Sequence, residues 1–415
     1  MDLHHPPKPS SLHHKLSFVF PSLFFRAEVA YALSSVLVVL SASLLLLSAL
    51  TPLQPLSFLG HAALPCDYSD GEWVWDVEAY PEGSYAEDCP FLDPGFRCLR
   101  NGRNDTGYRN WRWQPRGCHL PRFNASEMLE RSRNKRIVFA GDSIGRNQWE
   151  SLLCMLSAGV SNKSSIFEAH GNPISKHKGF LSIRFDEYNL SVEYYRTPFL
   201  VVIGRPPPNS SHLVHKSIRL DTPQWRAKMW AGADVLVMNT GHWWNRGKTI
   251  DQGYYFQVGE DINMTMGVNE AFQKTMETLK QWAISNMQLG HSYLFFRSYS
   301  PSHYRNGTWD TGGVCDSGTR PQTNNTLLEP DPWYNQIMSS AIKSMEGRGR
   351  KVQLLNITYL TEFRMDGHPS SHREPGTPTD APQDCSHWCL PGVPDTWNEL
   401  LYAHLLAKGY NSRSI

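Results

Sequence analysis

The chain has 415 residues, 40% of them hydrophobic and 12% aromatic, which is enough apolar material for a large core and excludes a disordered polymer. Lys and Arg number 40 against 39 Asp and Glu, a net charge of +1, so no general electrostatic pull toward nucleic acid is expected. The sequence carries neither a phosphate loop nor a dinucleotide-binding fingerprint.

Residues 30–50, AYALSSVLVVLSASLLLLSAL, hold 21 positions without a charge. At about 1.5 Å per residue such a helix crosses a hydrocarbon layer of about 30 Å. The 29 residues before it are long for the leader of a cleaved signal peptide, so a membrane anchor is expected. Lys8, Lys15 and Arg26 precede the span, and no Lys or Arg follows until Arg97. This asymmetry predicts a cytosolic tail over 1–29 and a lumenal chain after residue 50, a single-pass type II arrangement. All eight cysteines lie beyond the span, where an oxidising lumen favours disulfides. So do nine N-glycosylation sequons, at Asn104, Asn124, Asn162, Asn189, Asn209, Asn263, Asn306, Asn324 and Asn356. The secretory pathway is therefore the expected compartment, with Golgi membrane residence inferred.

Residues 51–65 carry three prolines and no charge and read as a stem. The lumenal domain is expected over 66–415. Its first part, 66–123, is Cys- and Trp-rich, and crosslinks more than regular elements are expected to hold it. A catalytic core is expected over 135–410. RIVFAG (136–141), DVLVMNTG (234–241), SYLFFRS (292–298) and VQLLNIT (352–358) read as buried strands because apolar residues fill both faces. Residues 144–157, 267–287 and 332–346 carry apolar side chains at helical spacing, and 182–196 alternates like an antiparallel hairpin. The fold class expected is α/β, a mainly parallel sheet flanked by helices. Residues 366–383 form a long Pro/Gly/Ser-rich loop.

Ligands of an open parallel sheet collect at the carboxyl ends of its strands, and the first strand-to-helix turn is GDSIGRNQ at 141–148. Two readings of Ser143 compete there: an N-cap alone, or a nucleophile at a helix N-terminus that stabilises developing negative charge. The stretch DCSHWC at 384–389 also has two readings. Cys385, His387 and Cys389 lack the paired spacing of a structural zinc site, and lumenal thiols form disulfides, so no metal is expected. The alternative has Asp384 orient His387 so that its second nitrogen serves a serine as base. Asp366 and His368 in DGHPS read as turn chemistry. Trp111, Trp113, Trp243 and Trp244 divide between core and sugar-stacking roles.

GDSIGRNQWESLLC, WRWQPRGCHLPRF (111–123), NTGHWWNRG (239–247) and DCSHWCLPGVPDTWNELL (384–401) together resemble the plant trichome birefringence-like proteins. These are Golgi polysaccharide O-acetyltransferases of the PC-esterase, SGNH/GDSL-like group, and the likeness covers about residues 64–410. The resemblance implies Ser143 as nucleophile, His387 as general base and acid, and Asp384 as its orienter. It implies an acetyl-serine intermediate attacked by a sugar hydroxyl, with an acetyl donor as co-substrate and no cofactor. Arg146 and Asn147 match the family's GDSxxRNQ and read either as helix-start residues or as positioning groups. Asn239 reads as an oxyanion donor, although the general SGNH pattern has Gly-x-Asn-Asp where this chain has Asn-Thr-Gly-His. The same resemblance pairs Cys66 with Cys118, Cys89 with Cys154, Cys98 with Cys389 and Cys315 with Cys385. Pectin, including rhamnogalacturonan, or xylan is the acceptor it suggests. The alternatives are a polysaccharide acetylesterase and a non-catalytic pectin-binding protein that bridges polymers.

Overall fold

The computed structural model describes residues 38–41, 66–78, 84–347 and 349–411. The expected tail and stem lie outside these residues, as does the expected span except for a helical turn at 38–41. No helix among the described residues is long and apolar enough to cross a membrane. Residues Cys66–Ile415 form one unit, and it is described by itself.

The Cys/Trp-rich segment opens with β1 (Gly71–Trp75) and β2 (Trp111–Pro115), an antiparallel ribbon not expected from its sequence. Its register places Trp73 opposite Trp113 and Trp75 opposite Trp111. Cross-strand aromatic pairs stabilise such ribbons, and both pairs meet edge to face, at 5.6 and 5.2 Å. Trp113 and Trp244 are fully buried, and the Trp113 indole donates to the Tyr68 carbonyl, so these two belong to the core. Trp111 and Trp243 keep partial exposure.

Helix α1 (Ala125–Arg131) leads into β3 (Arg136–Gly141), α2 (Ser143–Ala158) and the small edge strand β4 (Ile166–Glu168). The alternating stretch forms β5 (Phe180–Phe185) and β6 (Leu190–Arg196), antiparallel to each other. After β7 (Val201–Gly204), β8 (Lys216–Pro223) and α3 (Ala227–Trp230), the chain re-enters the main sheet as β9 (Val235–Asn239). Strands β10 (Tyr254–Val258) and β11 (Asp261–Asn263) precede α4 (Val268–Asn286) and β12 (Tyr293–Arg297). The chain closes with α5 (Trp333–Met345), β13 (Lys351–Leu355), α6 (Thr358–Glu362) and α7 (Val393–Ala407).

The main sheet has seven strands in the order β13-β12-β9-β3-β6-β5-β4, parallel from β13 to β6. Alternation along β3 explains its two covered faces. Ile137 and Phe139 pack with Leu152, Trp397 and Leu400 of α2 and α7. Val138 and Ala140 pack with Phe272, Met276 and Ile342 of α4 and α5. A second sheet, β11-β10-β8-β7, was not expected, and polar residues interrupt its short strands.

The chain leaves β3 toward β6 on one side and returns to β9 on the other. Their carboxyl ends therefore flank a crevice at a topological switch point, where α/β sheets bind ligands. Four disulfides brace this unit: Cys66–Cys118, Cys89–Cys154, Cys98–Cys389 and Cys315–Cys385.

Candidate active site

The turn from β3 into α2 is built by Asp142. It caps α2, its Oδ1 accepting from the backbone N–H of Ile144 at 3.0 Å and of Gly145 at 3.4 Å. Asn239, the last residue of β9, donates its Nδ2–H to the same oxygen at 2.6 Å. This close approach needs glycine on both sides. A Cβ at Gly141 would lie 1.9 Å from Asn239 Oδ1, and one at Gly145 would lie 1.8 Å away. Asn239 thus holds the Asp142 cap beneath the first turn of α2. Ser143 opens that helix, with its partial positive end and the Ser143 backbone N–H available to a developing oxyanion.

Ser143 Oγ stands 2.8 Å from His387 Nε2. On the other side of the ring, Nδ1 lies 2.8 Å from Asp384 Oδ2 and 3.0 Å from Oδ1. The Asp384 carboxylate also accepts the backbone N–H groups of Ser386, at 3.2 Å, and His387, at 3.0 Å. Burial pushes the Asp384 carboxyl up, but the charge and hydrogen bonds of His387 outweigh it and hold the group well below the usual carboxylate range. Burial opposes the imidazolium of His387, yet the Asp384 charge prevails and raises the ring above its ordinary value. An ionised acid, a tautomer-fixed imidazole and a hydroxyl in line form the arrangement that activates a serine for acyl transfer. The His387 side chain keeps 24% exposure, so a substrate reaches the ring from solvent.

What joins segments so far apart in sequence is Asn147. Its Oδ1 accepts from Trp388 N at 2.8 Å and its Nδ2 donates to Trp388 O at 3.2 Å, so α2 grips the backbone next to His387. Cys385 and Cys389 lie on either side of His387 in disulfides to Cys315 and Cys98, which leaves no thiolate for a metal. Among the described residues no group of three or more His, Cys, Asp or Glu side chains is arranged to hold a metal ion. Arg146 is buried in an ion pair with Glu150 at 2.6 Å and donates to the Ser175 carbonyl, so its role is to brace α2.

Replacing Asn147 by alanine leaves the buried Trp388 N–H without its acceptor. We expect a loss of about 1–3 kcal/mol in stability. The larger effect is on turnover, about 10- to 100-fold, because the imidazole loses its register with Ser143. Thermal unfolding and initial rates on the same preparation check both.

A model described as a GDSL/SGNH-like acyl-esterase family found in Pmr5 and Cas1p matches residues 120–404, and one for a PMR5 N-terminal domain matches 64–119. The chain belongs to the PC-Esterase family. Relatives in Arabidopsis thaliana include trichome birefringence-like 9, 59% identical over 84% of this chain and 85% of that protein. Trichome birefringence-like 6 is 44% identical over 83% of this chain and 71% of its own. Trichome birefringence-like 34 is 34% identical over 84% and 86%. The PC-Esterase match runs through Ser143, Asp384 and His387 alike.

Two further residues of this PC-Esterase site had no signal of their own in the sequence. His242, just past β9, stacks on Tyr299 at 4.5 Å, which in turn stacks on Tyr334 at 5.1 Å. Burial pushes His242 down to about 4, so it stays neutral, and its Nε2 has no hydrogen-bond partner among the described residues. Arg297, at the end of β12, pairs in register with Asn239 and lies over the Trp397 ring at 5.0 Å. It is buried, and burial lowers its guanidinium to about 10. The Asp142 charge opposes that lowering. Periodicity marked Arg297 only as a strand end, and a lone histidine in NTGHWW offers no spacing to read.

Proposed function

We propose that this protein transfers acetyl groups to hydroxyls of a plant cell-wall polysaccharide through an acetyl-serine intermediate on Ser143. The observation that carries the reading is the 2.8 Å contact between Ser143 Oγ and an imidazole held by Asp384. In the first step His387 Nε2 takes the hydroxyl proton as Ser143 Oγ attacks the acetyl carbonyl of the donor. The tetrahedral oxyanion forms at the N-terminus of α2, and its collapse expels the donor's leaving group with the proton from His387. In the second step His387 deprotonates an acceptor hydroxyl, which attacks the acetyl-serine and restores Ser143. The chemistry requires no cofactor. Pectin, with its rhamnogalacturonan portion, is the acceptor we favour, and xylan is next. The expected anchor at 30–50 would place the reaction in the Golgi lumen.

The test uses the full chain, an acetyl donor and a panel of pectin, rhamnogalacturonan and xylan oligosaccharides. Acetylated sugar in excess of free acetate is the expected product. Free acetate alone would make the protein an esterase, because the same intermediate hydrolyses when water reaches it.

A further inference from the structure

Behind the catalytic histidine lies a second polar chain that the reaction as written does not use. His368, from the DGHPS turn, is 2% exposed and packs against the tilted ring of Trp388 at 4.0 Å. Its Nδ1 lies 2.7 Å from the carbonyl oxygen of His387. Its Nε2 lies 2.7 Å from Nδ1 of His303, and His303 Nε2 lies 3.1 Å from the carbonyl oxygen of Glu362. The Glu362 carboxylate stands 4.0 Å from that same nitrogen.

Counting hydrogens along this chain gives a definite result. A carbonyl oxygen only accepts, so His368 Nδ1 and His303 Nε2 must each carry a hydrogen. The short contact between the two rings needs one more. Three hydrogens are required, and two neutral imidazoles hold two. The third makes one ring an imidazolium, with Glu362 beside it as the counter-charge; on the Glu362 carboxyl it would leave one of the three contacts without a hydrogen.

The surroundings favour a shared proton over a free charge. Burial pushes His303 down to about 4 and His368 well below its ordinary value, and it pushes the Glu362 carboxyl up to about 7. Around Glu362, the Glu329 backbone N–H reaches its Oε1 at 3.3 Å, and the Glu329 charge raises it further. Arg305 faces His303, while His303, Asp384 and His387 face His368. Arg103 Nη1 donates to the His368 carbonyl at 3.3 Å and fixes its backbone.

We propose that His368, backed by His303 and Glu362, is a positioning residue for the catalytic His387, holding its carbonyl in register while the three-residue unit retains a third, shared proton. Loss of that proton sets a lone pair against a lone pair in one of the three contacts, and the His387 backbone loses a fixed point. The proposal rests on the acyl-transfer reading of Ser143, and its test needs no polysaccharide.

The experiment measures the rate at which a fluorophosphonate probe labels Ser143 in the full-length protein, from acid through alkaline pH. Labelling forms a bond from Ser143 Oγ to phosphorus, expels fluoride and delivers the hydroxyl proton to His387, so it reports serine activation alone. The wild-type rate should rise as His387 loses its proton, above the ordinary imidazole value, and fall again at more alkaline pH as the unit loses its third proton. Glu362→Gln removes the counter-charge that retains the third proton, so its alkaline fall should move to lower pH. His368→Phe should label about 100-fold more slowly. His368→Asn, which restores a donor toward the His387 carbonyl, should recover at least about tenfold of that loss.

An alkaline fall unchanged in Glu362→Gln would overturn the proposal, as would a uniform loss at every pH or a folded His368→Phe labelled at the wild-type rate. Thermal unfolding identifies a misfolded His368→Phe, in which case the Glu362→Gln profile decides. Absence of labelling in folded wild-type protein would instead remove the acyl-transfer reading itself.

Discussion

Ser143→Ala is expected to lower acetyl transfer by at least about 10,000-fold while leaving the fold in place. The hydroxyl supplies the one atom that forms the covalent intermediate, and no neighbouring side chain replaces it. Its structural contribution is small by comparison. Asp142, not Ser143, caps α2, and the hydrogen-bond partner of the Ser143 hydroxyl among the described residues is the ring of His387. Thermal stability should therefore change by no more than about 0.5 kcal/mol. The measurement is initial rate and unfolding on matched preparations. A protein that merely bridges pectin chains would behave differently, since its function would survive the substitution intact. Retained transfer in Ser143→Ala would thus remove Ser143 as the nucleophile, and bridging retained with no transfer by the wild type would remove the enzyme reading.

Asp384→Asn is expected to cost about 10,000-fold in turnover. The carboxylate accepts from His387 Nδ1 through both oxygens, at 2.8 and 3.0 Å, which fixes the hydrogen on Nδ1 and the lone pair on Nε2 toward Ser143. An asparagine that kept its Oδ1 on the backbone N–H groups of Ser386 and His387 would turn its amide N–H toward the ring. The tautomer would then reverse, leaving Nε2 protonated and unable to act as a base. Stability should report the same group with a definite sign. The folded carboxyl sits below its unfolded value, so its contribution is present above the unfolded pKa and is lost as pH falls through the folded one. The stability gap between wild type and Asp384→Asn should therefore be widest near neutrality and narrow in acid. Chemical denaturation at several pH values checks this. A gap that widened in acid would contradict the hydrogen-bonded carboxylate described above.

The central strands were legible because burial on both faces leaves a compositional mark. RIVFAG, VLVMN and YLFFR each read as apolar runs, and they became β3, β9 and β12 with partners on either side. The hairpin at 182–196 was legible by its alternation, and β5 and β6 start and end close to its limits. The β1–β2 ribbon was not. Its two strands are separated by a Cys-rich stretch, and what defines them is the cross-strand match of Trp73 with Trp113, a non-local property. Strands β7, β8, β10 and β11 were missed for a related reason, since short strands with polar residues on both sides carry little period.

The site divides in the same way. Ser143, Asp384 and His387 stood out because cap, acid and base sit in short local patterns, but sequence alone left open whether they met. The contact that brings them together, Asn147 to the Trp388 backbone, spans 241 positions and leaves no local trace. His368 was read as turn chemistry because its acid neighbour Asp366 lay two residues away. Asp366 in fact pairs with Arg364 at 2.8 Å, and the partner of His368 is His303, 65 positions earlier. No spacing rule reaches that far.

The most direct test of the whole account is to give the full-length protein an acetyl donor without acceptor, quench it in acid and map acetylated peptides by mass spectrometry. One acetyl group on the peptide carrying Ser143, lost when an acceptor oligosaccharide is added before the quench, is the predicted result. Transfer to sugar in a protein whose Ser143 peptide never carries the group would contradict it.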